Sequence, residues 1–150
     1  MTTPAFANLK EAFLYCRDMD ALLSERLDAF SAASQYLSPG YQEAVDRLVS
    51  RLKAYDAGQA APKPGEPMLP FVMPDEQGHL VTLDALLAER PLAMTFHRGH
   101  RCQYCRISTR ALSEAQERVA AEGANLAAIM PERQRSRLCS SPRERCDIPC

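Results

Sequence analysis

The stretch "LAMTFHRGHRCQYCRIS", residues 92–108, decides how the chain is read. Its first five residues, Leu92 to Phe96, form a short apolar run after Pro91, which suits a strand buried on both faces, as in a parallel sheet. From about Cys102 the apolar residues Ile107, Leu112, Ala115 and Val119 share one broad face among helix-favouring Ala, Glu and Arg, and Gly123 is placed to end the helix. "NLAAIM", residues 125–130, then reads as a second buried strand. Strand, loop, helix and strand make a βαβ unit, a fold of the α/β class. The loop that leaves the first strand carries Cys102 and Cys105 with two residues between them.

Cys102 stands at the predicted helix start, where unpaired backbone N–H groups and the helix dipole favour a thiolate. Arg98, His100, Arg101 and Arg106 offer cationic neighbours. Cys105 lies one helical turn further on the same face, so it can reach back and condense with an oxidised Cys102. The more exposed N-terminal position makes Cys102 the attacking thiol and Cys105 the resolving one. Two other readings stand beside this. The pair can be reduced core thiols, although basic neighbours make that an odd choice for packing. It can also join His100 and one of Cys139, Cys146 or Cys150 in a zinc site. Zinc fingers and ribbons offer two compact knuckles, whereas Cys139 and Cys146 are separated by six residues of an arginine-rich tail, so neither metal nor cofactor is expected. His97 and His100 otherwise read as solvent-facing loop residues and His79 as a turn residue.

Upstream of the strand, Thr82 is placed to cap a short helix over residues 83–89, and the extended pieces at Leu69 to Met73 and Leu80 to Val81 flank the turn "PDEQGH" as a hairpin. "AGQAAPKPGEP" before them is a linker by composition. At the N-terminus Phe6, Leu9, Phe13, Cys16, Met19, Leu23, Leu27 and Phe30 keep helical spacing in one stripe, which predicts a single long amphipathic helix. Ser38 and Pro39 start another, with Tyr41, Val45, Leu48, Leu52 and Tyr55 along it and Gly58 ending it. The two helices form an N-terminal hairpin whose expected role is packing or oligomerisation. The organisation predicted is a helical hairpin at 1–57, a linker at 58–68, an α/β domain at 69–134 and a disordered tail at 135–150.

That last part is where the character changes. "PERQRSRLCSSPRERCDIPC" holds five arginines against three acidic residues and has hardly any apolar periodicity. It lacks the interleaved aromatics of a nucleic-acid contact and reads as solvated chain. The whole sequence of 150 residues has a formal net charge of -1, with 46% hydrophobic and 25% charged residues, which gives no electrostatic case for nucleic acid or an anionic membrane. No stretch approaches a membrane span and the first residues do not form a signal peptide, so a cytoplasmic location is expected. In a reducing compartment a close cysteine pair is more often catalytic or metal-binding than a structural disulfide.

Residues 62–105, from "PKPGEP" to "RGHRCQYC", resemble the opening of peroxiredoxin-like proteins of the alkyl hydroperoxide reductase and thiol-specific antioxidant family. The entry "GEPMLPFVMPDEQGHLVTL" is similar to the family's Gly-x-x-x-Pro-x-Phe-x-Leu-Pro-Asp, "RGHRCQYC" to a subgroup's Arg-Gly-x-Trp-Cys-Pro-Tyr-Cys, and "EGANLAAIMPE" to the end of the following helix and strand. The N-terminal helix pair resembles that subgroup too. The resemblance reaches to about Gln134 and implies a thioredoxin-like fold. It also implies Cys102 as peroxidatic thiol with Cys105 as its partner, a hydroperoxide substrate, and a thioredoxin or glutathione reducing system. The sequence departs from the family pattern in places. The positions of the proline and threonine in Pro-x-x-x-Thr-x-x-Cys hold Thr95 and Gly99, Arg101 and Gln103 replace the subgroup's Trp and Pro, and the family's later arginine has no visible counterpart. The later helices and hairpin of a thioredoxin fold are not legible after Gln134, so a partial fold is expected from a truncated or frame-shifted sequence. Its apolar strand edge would invite a homodimer. The function expected is that of a thiol-dependent peroxidase without a cofactor. Alternatives are a disulfide oxidoreductase using the same residues, and an inactive or zinc-binding module.

Overall fold

A computed structural model of the chain describes residues 6–131. The predicted tail at 135–150, with Cys139, Cys146 and Cys150, lies outside the described residues. The chain divides into two compact units, with the boundary between Leu69 and Pro70.

The first unit is helical. Helix α1, Leu9–Asp18, starts at Asn8, whose side-chain oxygen accepts the Glu11 N–H at 3.0 Å. Helix α2, Leu23–Leu37, starts at Leu22, whose N–H donates to the Glu25 carboxylate at 2.9 Å. The stripe read as one long helix is therefore two helices. The break is held by Arg26, a buried residue of α2, whose guanidinium donates to the carbonyls of Arg17 at 2.8 Å and Ala21 at 3.0 Å. These carbonyls belong to the end of α1 and the connection, where helical partners run out. The apolar spacing carries through because both helices turn the same stripe towards their common core. Phe13 of α1 meets Phe30 of α2 edge to face, with ring centroids 6.2 Å apart, and Ala12, Cys16 and Ala33 complete that core. Replacing Arg26 by methionine keeps an aliphatic stem but strips donors from both carbonyls. Urea unfolding of Arg26→Met should show a loss of roughly 1–3 kcal/mol, the cost of orphaned polar groups.

Helix α3, Pro39–Ala54, follows with proline at its first turn as expected, although the Ser38 side chain forms no cap bond. Ser34 of α2 is buried and its hydroxyl lies 2.9 Å from the Gln42 side-chain oxygen of α3. None of the residues of α3 is fully buried, despite its amphipathic spacing.

The second unit begins with an antiparallel pair, β1 (Val72–Pro74) and β2 (Leu80–Thr82), in the register Val72↔Thr82 to Pro74↔Leu80. Its turn is built by Asp75, whose carboxylate accepts the N–H groups of Gln77 at 2.9 Å and His79 at 2.8 Å, with Gly78 at φ 92°. Thr82 then caps α4, Leu83–Leu87, by accepting the Ala85 N–H at 3.1 Å.

The parallel pair comes next. β3 (Leu92–Phe96) runs beside β4 (Asn125–Ile129), Leu92 opposite Asn125 and Phe96 opposite Ile129, with helix α5 (Gln103–Ala121) as the connection. Gly123, at φ 77°, ends α5 in the left-handed conformation open to glycine. Ile107 of α5 is fully buried, and Ala127 and Ala128 of β4 are buried too. β3 itself is not covered on both faces as expected: Ala93 is exposed and Phe96 is 65% exposed. Among the described residues β3 has a strand neighbour on one edge alone, so an apolar run suited to a central strand lacks the cover that a second neighbour would bring.

Candidate active site

The loop between β3 and α5 brings the two cysteines together at a helix start. Cys102 is the N-cap of α5, with extended φ and ψ of -85° and 108°, and its Sγ accepts the N–H of Cys105 at 3.3 Å. A sulfur thus takes the place that a Ser or Asp oxygen fills in ordinary caps, receiving one of the donors that the first helical turn leaves unmatched. The N-terminal end of the α5 dipole and this N–H both face the Cys102 sulfur. Cys105 is also partly buried, and its Sγ accepts the N–H of Arg98 at 3.3 Å.

The environment separates the two thiols. Burial first, then the hydrogen bond with Cys102 and its charge, push the Cys105 thiol up to about 11, while the Arg98 N–H and guanidinium oppose that rise. Cys105 therefore holds its proton at neutral pH. The linkage to stability follows in sign. An unfolded Cys105 loses its proton near its ordinary value of 9.0 and the folded one only near 11, so between these values the folded state binds more protons and loses stability as pH rises. Buried Cys16 is raised by desolvation and adds in the same direction. Urea midpoints of the reduced protein should fall between pH 9 and 11, and Cys105→Ser should lessen the slope.

The turn depends on Gly99, which is buried and sits at φ 108°. Its carbonyl accepts the Cys102 N–H at 3.1 Å, closing the loop on the helix start. Of the four cationic residues read beside the pair, Arg98 acts on Cys105 through both backbone and charge. Arg101 is exposed. His97 corrects the reading as a solvent-facing loop residue: it is buried, with 8% of its surface exposed, and its ring Nε2 lies 3.0 Å from Thr95 Oγ1. The physical reason is that the strand conformation runs on beyond Phe96. Thr95 and His97 share one side of an extended chain that continues past the apolar run, as the bond from His97 N–H to the Ile129 carbonyl at 2.8 Å shows. Sequence reasoning also missed the Arg98 N–H, since a backbone donor leaves no trace in residue type. Among the described residues no group of three or more His, Cys, Asp or Glu is gathered as metal ligands. The tail cysteines that a zinc site would need lie outside those residues.

The deciding observation comes from comparison with known families: the model of the AhpC/TSA family matches residues 64–141, just over half of the chain. The chain belongs to the AhpC/TSA family. Its fold is accordingly thioredoxin-like α/β, here with helices α1 to α3 ahead of it at the N-terminus. The match includes Cys102, Cys105 and the whole β3–α5–β4 unit, and extends into residues outside those described. AhpC/TSA membership places the chain among thiol peroxidases and thioredoxin-like redox proteins, whose members act on peroxides with thioredoxin-type reductants and often form dimers. No curated protein and no solved structure matched the chain. Among the described residues no helix is long and apolar enough to cross a membrane. Within this family frame Gly99 stands where the threonine of Pro-x-x-x-Thr-x-x-Cys would be, and its positive φ is one that a β-branched threonine adopts only under strain.

Proposed function

We propose that the protein is a thiol-dependent peroxidase in which Cys102 is the attacking thiol and Cys105 the resolving thiol. The observation that carries this reading is the difference in surroundings between two sulfurs on one helical turn: Cys102 Sγ receives the Cys105 N–H at the start of α5, whereas Cys105 keeps its proton with a pKa of about 11.

In the first step the Cys102 thiolate attacks the terminal oxygen of a hydroperoxide. The O–O bond breaks, the alkoxide takes a proton and leaves as alcohol, and Cys102 becomes a sulfenic acid. The sulfur of Cys105 then attacks the sulfenic sulfur, forming the Cys102–Cys105 disulfide and expelling hydroxide. The proton released from Cys105 converts that hydroxide to water. A high pKa on Cys105 keeps this proton in place until it is needed, at the cost of a slower nucleophile. A thioredoxin or glutathione system restores the dithiol by exchange, and the reaction calls for no cofactor. The site chemistry suits a cytoplasmic protein, and the exposed apolar residues of β3 suit a homodimer.

The test is trapping of the intermediate. Pre-reduced Cys105→Ser treated with one equivalent of hydroperoxide and a sulfenic-acid reagent should give one adduct, at Cys102. An adduct on another cysteine, or none, would sink the assignment. The disulfide oxidoreductase reading uses the same pair and is favoured instead if insulin is reduced rapidly while peroxide is not consumed.

A further inference from the structure

The polar contacts behind the thiol loop form a continuous path from β4 to Cys105. The Ala127 carbonyl of β4 lies 3.4 Å from Thr95 Oγ1, and the same oxygen lies 3.0 Å from His97 Nε2. One hydroxyl has one hydrogen. Both contacts are hydrogen bonds together when the Thr95 hydroxyl donates to Ala127 and Nε2–H of a neutral His97 donates to Thr95. Burial, which lowers the His97 pKa from its ordinary value, favours that neutral ring. The backbone of His97 is fixed as well, by its N–H on the Ile129 carbonyl at 2.8 Å. The next N–H along the chain is that of Arg98, which donates to Cys105 Sγ at 3.3 Å.

We propose that His97 is a positioning residue: held by Thr95 through its ring and by Ile129 through its backbone, it aims the Arg98 N–H at the Cys105 sulfur. Neither His97 nor Thr95 bonds a sulfur directly, so their effect passes through one peptide group. The chain leaves the strand here and turns at a glycine: Gly99, with φ at 108°, begins that turn one residue beyond the donor. A ring present merely to fill space would be replaced by phenylalanine without consequence for the thiol, and a positioning ring would not. The catalytic meaning of this assignment rests on the reading of Cys105 as the resolving thiol.

The test separates the two. In the Cys102→Ser background, where no Cys102–Cys105 disulfide can form, the alkylation rate of Cys105 by iodoacetamide is followed against pH. His97→Phe and Thr95→Val should each slow alkylation at a fixed alkaline pH by on the order of threefold, because the thiolate loses its donor. The two together should slow it no more than either alone, as members of one chain of contacts do. His97→Gln, which keeps an N–H near the Nε2 position, and Thr95→Ser, which keeps the hydroxyl, should restore the parent profile. Circular dichroism checks the fold. If His97→Phe does not fold, Thr95→Val against Thr95→Ser decides alone. An unchanged profile in Thr95→Val and His97→Phe, or strictly additive slowing, overturns the proposal. With both cysteines present, one equivalent of hydrogen peroxide is then added. Absence of a Cys102–Cys105 disulfide in that parent overturns the peroxidase reading, and the alkylation profile still decides the role of His97.

Discussion

Cys102→Ser should lower the rate of hydroperoxide consumption by roughly two orders of magnitude or more, to that of the remaining thiols, the loss expected when a nucleophile is removed. Cys102 is the one cysteine of the described residues that caps a helix and accepts a backbone N–H from within that helix. Cys16 is fully buried in the helical unit, with its pKa raised by desolvation, and Cys105 holds its proton to about 11. Neither is a thiolate in reserve at neutral pH. Cys105→Ser should behave differently: it should still consume one equivalent of peroxide and then stop as a sulfenic acid, since attack precedes resolution. Stopped-flow peroxide assays of the parent and both variants distinguish the roles, and comparable slowing in the two would contradict them.

Ile107→Ala should destabilise the second unit by about 2–5 kcal/mol, the range for deleting a fully buried branched side chain. Among the described residues of this unit, Ile107 has 0% exposure and is the large side chain fully buried, with Leu83, Ala127 and Ala128 as its buried apolar companions. A loss of this size approaches the whole stability of many small domains. The consequence for function is direct. Ile107 lies two residues beyond Cys105 on α5, so loosening this helix frees the cap that places both sulfurs. Thermal melting of Ile107→Ala should show a large drop in the transition of the thiol-bearing unit, and peroxide consumption should fall with the folded fraction. A change below about 1 kcal/mol would mean that α5 is held by other contacts.

The parts of this molecule that local pattern governs were legible in the sequence. The apolar run at Leu92 to Phe96, the helix ended by Gly123 and the strand from Asn125 each carry their own signal, and β3, α5 and β4 appear where those signals stand. The thiol pair at the head of α5 follows from the same alignment. The parts set by distant partners were not legible. The interruption between α1 and α2 is fixed by Arg26 reaching back to Arg17 and Ala21, and the apolar stripe hides it because the period is the same on both sides. The extended backbone at His97 is fixed by β4, a strand some thirty residues later in the chain, so a histidine two residues before a glycine reads as loop until that strand is in place. Exposure of Phe96 has the opposite origin: a short apolar run looks the same whether one neighbour or two cover it. The donor to Cys105 is invisible for a third reason, since any residue at position 98 except proline would supply that N–H.

The central claim, that Cys102 attacks and Cys105 resolves, is tested most directly by mass-spectrometric mapping of the pre-reduced protein after one equivalent of hydroperoxide. The account predicts a Cys102–Cys105 disulfide as the first product, formed with loss of two hydrogens from the protein, and its replacement by a stable Cys102 sulfenic acid in Cys105→Ser. Peroxide consumed without that disulfide, or a disulfide that forms through Cys16 instead, would contradict it.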